Sequence, residues 1–286
     1  MFNVRKKESN SRSGESGFTI TPLKGWTNLG LREVWEYRDL IWSFATRNFH
    51  VRYRQMALGP LWSILSPLVD MVIFSILFGN LAKMPSEGVP YALFAYTALI
   101  PWTYFSGITN ASAGSLVSEM EVISKIYFPR LVIPFANVLS LLFDSTISLL
   151  ILVGMVVYFK YSLTWRLLLI PAYLSLAALA GLGIGLWLAT LAVRFRDVRN
   201  LAGYGLQVLK FITPVVYSAT LIPEKWQLLY RINPMLWVVE GFRWIFLGIG
   251  QSPDWMIGGA VLIALFLFIS GMFVFLRTER TIVDWL

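Results

Sequence analysis

Six long apolar runs constrain this chain more than any other feature. They cover roughly Pro60–Leu81, Tyr91–Val117, Leu131–Phe159, Leu167–Val193, Leu201–Leu221 and Trp255–Leu276. Each holds 21 or more residues, enough at 1.5 Å per residue to cross a hydrocarbon layer of about 30 Å. The longer ones must tilt, kink or protrude. Only 14% of the 286 residues are charged and 57% are hydrophobic, whereas a soluble domain carries about 25% charge. Such a chain cannot hide its side chains in a soluble core. The reading is an all-α integral membrane protein with six transmembrane helices between residues 60 and 276. The chain has no Cys, which excludes disulfide scaffolds, thiol catalysis and Cys-type zinc sites. Its one histidine, His50, leaves little room for a histidine cluster, so no metal site is expected. Nothing near residue 1 has the layout of a signal peptide, and residues 3–17 read as disordered within a tail over 1–30.

Six spans put both ends on one side. That side holds 17 of the 24 Lys and Arg residues, and the other holds six: Lys83, Lys160, Arg166, Lys225, Arg231 and Arg243. Lys210 falls inside a span. The excess places both termini, including the tail 277–286, in the cytoplasm. The net charge of +8 is then topological, and no nucleic-acid partner is expected. A seventh apolar run, Met235–Leu247, has 13 residues and contains Glu240 and Arg243. It is too short to span. A re-entrant hairpin over 222–248 on the outer side fits better, with a first limb near Glu224–Tyr230 and a turn at Asn233–Pro234. A true span is the alternative.

Residues 31–54 precede the first span. Leu31, Val34, Trp35, Ile41, Trp42, Ala45 and Phe49 recur at helical spacing, opposite Glu33, Glu36, Asp39, Ser43, Arg47, His50 and Arg54. The pattern predicts an amphipathic helix in the membrane interface, with its aromatic stripe in the acyl boundary. A soluble helix packed on the spans is the alternative. Arg38 falls on the apolar stripe and must snorkel; His50 reads as solvated. Arg47, Arg52 and Arg54 sit at headgroup depth, with Trp62 just beyond. Guanidinium forks suit phosphate oxygens. These residues either anchor the helix on lipid phosphates or hold the phosphate of a lipid-linked substrate at a lateral gate.

The run RYRQMALGPLWSILSPL at 52–68 resembles the entry to the first span in permease subunits of ABC exporters for polysaccharides and polyol phosphates, the O-antigen, capsule and teichoic-acid type. LIPWTYFSGITNASAGSLVSEMEVISKIYFPR at 99–130, VRFRDVRN at 193–200, and ITPVVYSATLIP through INPMLWVVEGFRWIFLG at 212–248 are similar to the same family, in the same order. The resemblance implies a homodimer in the bacterial inner membrane, carrying two separate ATP-binding cassette subunits and moving a glycan on undecaprenyl diphosphate. ATP and Mg²⁺ belong to that partner, and this chain would need no cofactor and be no enzyme. In keeping with this, the chain contains no G-x-x-x-x-G-K-[ST]. The resemblance also puts a coupling helix in the loop 118–130. There Ser118 is placed to cap a short helix with Glu119 and Glu121 at its positive end, and Pro129 to stop it. Glu119, Glu121, Ile123, Lys125 and Tyr127 are the expected ATPase contacts.

Several aromatics fall inside spans: Phe74, Phe78, Phe94, Tyr96, Trp102, Tyr104, Tyr204, Phe211 and Tyr217. Aromatic faces pack on the C–H faces of sugar rings, so these residues either line a glycan channel or pack against helices and lipid. Ser106, Thr109, Asn110, Ser112 and Ser115 should face a pathway or another helix. Ala177, Gly181, Gly185 and Ala189 form a small-residue stripe for close helix packing. Pro67, Pro101, Pro134, Pro171 and Pro214 offer a kink site in each of the first five spans. Asp70, Asp144 and Lys210 lie near mid-bilayer, where bare charge is costly; either Lys210 pairs with an aspartate or these residues face water, and structural pairing is the favoured reading. Three rival functions stand beside glycan export: an ABC permease for small lipids or drugs, a polyprenyl-phosphate glycan transferase, and an ion-coupled carrier. The transferase would need clustered acids for Mg²⁺, and Glu119 and Glu121 are the only close pair at that spacing. The carrier should show internal repeats.

Overall fold

The computed structural model of the chain describes residues 2–5, 19–22, 31–54, 61–125, 128–195, 197–250 and 252–279. Two short strands, β1 (Phe2–Arg5) and β2 (Thr19–Pro22), pair antiparallel. Residues 3–5 of the tail read as disordered therefore lie in a strand. All other regular elements among the described residues are helical.

The interfacial segment forms two helices, α1 (Leu31–Glu36) and α2 (Arg38–Tyr53), broken at Tyr37. The two helices bury only part of the predicted stripe, Val34 and Ala45. Phe44, Ala45 and Tyr53 are buried, while Trp35 and Trp42 stand 70% and 56% exposed. The spans follow in order. Helix α3 (Leu61–Phe74) continues as a π-helical stretch to Leu81. Then come α4 (Tyr91–Ser118), the short α5 (Met120–Lys125) and α6 (Val132–Tyr158). A 3₁₀ turn (Trp165–Leu169) leads into α7 (Ile170–Arg194), and α8 (Val198–Ile212) follows. Helices α9 (Glu224–Arg231), α10 (Pro234–Leu247) and α11 (Ile257–Glu279) complete the chain. Four stretches are long and apolar enough to cross a membrane by length and composition: Ile64–Leu81, Val132–Tyr158, Trp165–Arg194 and Ile257–Thr278.

Helix α4 is the centre. It packs against α7, α6, α10, α3 and α8, while α11 covers the far side of α7 and α2 lies along α6. The small-residue stripe explains the closest seam. Ala177, Gly181, Gly185 and Ala189 are all buried. A Cβ at Gly185 would lie 2.6 Å from Ser112 Cβ, and one at Gly181 3.0 Å from the Phe105 carbonyl oxygen. On the opposite face, a Cβ at Gly183 would lie 2.6 Å from the Leu267 carbonyl carbon of α11. Without side chains in the way, three helices stack backbone to backbone, and dispersion contacts accumulate. The hydroxyls of α4 serve this packing: Thr109 donates to the Phe105 carbonyl at 2.9 Å and across the seam to Gly181 at 3.3 Å. Ser112 and Ser115 are buried there too, whereas Asn110 is exposed.

Only two of the five prolines interrupt a helix, Pro67 in α3 and Pro101 in α4. Pro134 and Pro171 sit in first turns, where no N–H is needed, and Pro214 follows the end of α8. Helix α10 begins and ends as its residues dictate. Asn233 Oδ1 accepts the Met235 N–H at 3.0 Å, Pro234 takes the first position, and Gly248 closes the helix in the left-handed region at φ 70°.

Candidate functional site

Charged and polar side chains gather at three levels of the bundle. At the α5 end, Arg47 of α2 pairs with Glu119 at 2.5 Å, and its guanidinium lies 4.5 Å from the centre of the Phe44 ring. Next to it, Asn48 donates to Asn137 of α6 at 3.1 Å, and Asn137 donates to the Ala111 carbonyl of α4 at 3.2 Å. Helices α2, α6 and α4 are thus tied together where α4 meets α5. A predicted gate residue and a predicted coupling residue are partners in one ion pair. Ile123 is half-buried and packs against the two clusters that hold Leu116 and Leu131, and Phe128 and Val132. Lys125 is exposed at the end of α5. Ser118 does not cap α5: it is the last residue of α4, and its hydroxyl donates back to Ser115 at 3.5 Å. The side chain of Glu121 and all of Tyr127 lie outside the described residues.

One level further in, Asp144 of α6 receives both Arg52 and Tyr53 from the end of α2. Arg52 forms an ion pair with one carboxylate oxygen, and the Tyr53 hydroxyl donates to the other at 2.7 Å. The carboxylate borders a cavity of about 160 Å³ whose wall includes Ser66, Pro67, Thr103, Tyr104, Ser145 and Ser148. The cavity lies beside Pro67 of α3. Arg54 and Trp62 are exposed nearby in the chain, and His50 is exposed with Nδ1 2.7 Å from the Thr46 carbonyl oxygen. Lys210 of α8 pairs instead with Asp70 of α3, at 3.1 Å, and lies 4.6 Å from the centre of the Phe74 ring. The expected aspartate partner exists, and it is Asp70. Asp144 is already matched by Arg52, because α2 packs onto α6 and brings that arginine within reach.

At the other end, Arg243 is fully buried and held by four groups, while its Nε has no hydrogen-bond partner among the described residues. It donates to Glu240 at 2.9 Å, to the Val215 carbonyl at 2.9 Å and to the Tyr217 carbonyl at 3.3 Å, and it lies 3.7 Å from the centre of the Phe94 ring. This clasp binds α10 to α4 and to the segment after α8. Asn233 adds a 2.8 Å bond to Thr213. The segment 222–248 holds two helices, α9 and α10, joined at Asn233.

The nine aromatics do not form one lining. Phe94, Tyr96, Trp102 and Tyr104 of α4 are buried in the core. Phe74, Phe78 and Tyr217 are half-buried and packed against that core. Only Tyr204 and Phe211 of α8 are exposed, at 69% and 53%. Four functional candidates escaped sequence reasoning: Tyr53, Asn137, Glu87 and Ser218. Asn137 carried a signal, an amide inside an apolar run. Glu87 carried none beyond its place in a short polar loop.

A six-run helical chain with a buried clasp at one end and a short loop helix at the other defines a multi-pass membrane protein, and the ABC-2 type transporter family matches it over residues 39–247. The chain belongs to that family. It is 31% identical over 211 residues to the O-antigen export system permease protein RfbA of Klebsiella pneumoniae, covering 73% of this chain and 80% of that one. The RfbA permease of Myxococcus xanthus is 28% identical over 218 residues, covering 76% and 83%. The polysialic acid transport protein KpsM of Escherichia coli is 26% identical over 198 residues, covering 68% and 76%.

Proposed function

We propose that this chain is the transmembrane subunit of an ABC exporter that moves an undecaprenyl-diphosphate-linked polysaccharide of the O-antigen type across the bacterial inner membrane. The observation that carries the reading is its similarity to O-antigen and polysialic acid permeases over most of its length. Two copies assemble, and two separate ATP-binding cassette subunits hydrolyse ATP with Mg²⁺ and drive the movement. The six spans are α3 with its π-helical continuation, α4, α6, α7, α8 and α11. Helix α8 has 15 residues, about 22 Å at helical rise, and the segment 213–221 completes its crossing. Helices α9 and α10 form the outer re-entrant hairpin. The excess of 17 basic residues over six keeps both termini cytoplasmic.

In this reading α5 and Lys125 face the ATPase, and the Arg47–Glu119 pair transmits its movement to α2. The exposed Trp35 and Trp42 seat α1 and α2 in the interface. Arg54 and Trp62 face lipid headgroups at the lateral gate, and Arg52 with Tyr53 lies just inside it. The α3–α8 seam, with Phe74, Phe78, Tyr204 and Phe211, faces the path when two copies meet, and offers sugar rings weak, sequence-tolerant contacts. Depletion of the chain in its host tests the function. Lipid-linked polymer should accumulate on the cytoplasmic side; loss of polymer synthesis itself would point to a transferase.

A further inference from the structure

A second cavity lies at the end of α4 remote from α5. It encloses about 260 Å³, and its wall includes Glu87, Thr220, Gln227, Tyr230, Arg231 and Glu240. Helix α4 has 28 residues, so this cavity and α5 are separated by about 42 Å of helix.

Three features mark it as built for a ligand. Glu87 sits at φ 55°, a left-handed conformation that costs a non-glycine residue strain. Its carboxylate is nevertheless fixed there, accepting from the Ser218 hydroxyl and from the Gly250 N–H at 3.4 Å. The Glu240 side chain is 3% exposed and gives one oxygen, Oε1, to Arg243. Its other oxygen makes no hydrogen bond among the described residues, and Glu240 lines the cavity, so this carboxylate offers an acceptor that a ligand or water can meet. The charges balance: Glu87 and Glu240 are offset by Arg231 on the wall and Arg243 behind it. A balanced wall gives little net attraction to a free metal cation or to phosphate. It offers acceptors, an amide, hydroxyls and the ring of Tyr230, which is what a neutral ring carrying several hydroxyl groups requires. The volume is below the roughly 300 Å³ at which drug-sized pockets begin, and it suits one six-membered ring.

We propose that this cavity is a subsite for a single neutral pyranose unit on the exit side of the membrane, where it holds one sugar of the emerging chain. Its place in transport rests on the export reading; its chemistry does not. The test uses the purified full-length chain in lipid nanodiscs, without an ATPase, and saturation-transfer NMR with methyl glycosides of glucose, galactose, mannose and rhamnose. At least one should give a saturable signal. Gln227→Leu or Thr220→Val, both on the wall and outside the Arg243 clasp, should weaken it about tenfold, and Leu262→Ala, on the exposed face of α11, should leave it unchanged. No saturable signal from any glycoside, or a signal indifferent to both wall substitutions, would overturn the subsite. So would calcium chloride or inorganic phosphate binding there while all sugars stay inert. A chain that binds the sugar but fails to export glycan would uphold the subsite and contradict the export role. One that exports but binds no sugar would overturn the subsite alone.

Discussion

Between α4, α7 and α11 the backbones approach until a single added Cβ would collide, with Gly183 and Gly185 facing opposite neighbours. Between α3 and α8 the described link is a lysine, an aspartate and a phenylalanine ring. The outer faces of both α3 and α8 are lined by exposed apolar side chains such as Leu65, Val69, Leu201 and Val208. One region is locked by shape and the other is held by charge. Shape-locked contacts fail abruptly when filled, because close-packed interiors have no slack. Charge-held contacts at a half-exposed seam are worth little to stability. They leave the seam free to separate, which a conduit for a thick polymer requires.

The largest expected effect falls on the locked region. Gly183→Leu should cost more than about 4 kcal/mol, a diagnostic overpacking defect, seen as loss of monodisperse protein and of its melting transition. Arg243→Met should come next, at about 3–5 kcal/mol, because it strands Glu240 in the core. Adding Glu240→Gln should recover much of that loss in the same melting assay. Asp144→Asn keeps the Tyr53 contact and removes the charge opposite Arg52, so about 1–2 kcal/mol is expected. At the seam, replacing both partners at once, Lys210→Met with Asp70→Asn, should shift stability by less than about 1 kcal/mol while export in cells falls. A collapse of folding there would erase the contrast between the two regions. Tyr204→Ala should stay within about 0.5 kcal/mol, and its effect should be confined to export.

Much of this was legible in the residues. Helix α4 runs Tyr91–Ser118 and α6 runs Val132–Tyr158, almost as their apolar runs suggest, because an uninterrupted run has one natural structure. The start of α10 was legible because Asn233 and Pro234 begin a helix through local chemistry alone. The stripe on α7 was legible because spacing four repeats on one helix face. What sequence could not supply was which helix stands at the centre. The aromatics of α4 suited a channel lining or helix packing alike, and they are core, since α4 is surrounded by five neighbours. Its lack of a one-sided pattern was the available signal. The partner of Asp144 was missed for a related reason. Position along a span gives depth alone, and the packing of α2 onto α6, which buries Tyr53 and delivers Arg52, is a tertiary fact. The exposure of Trp35 and Trp42 follows from the same packing.

The most direct measurement is reconstitution of the chain in sealed vesicles loaded with lipid-linked polysaccharide, with and without its ATP-binding partner. The readout is polymer appearing on the opposite face. Translocation should occur only with the partner and hydrolysable ATP, and should stop when Lys210→Met or Tyr204→Ala alters the α3–α8 seam. Equal translocation by the chain alone, or none with the full assembly and ATP, would contradict the role of a conduit driven from another subunit.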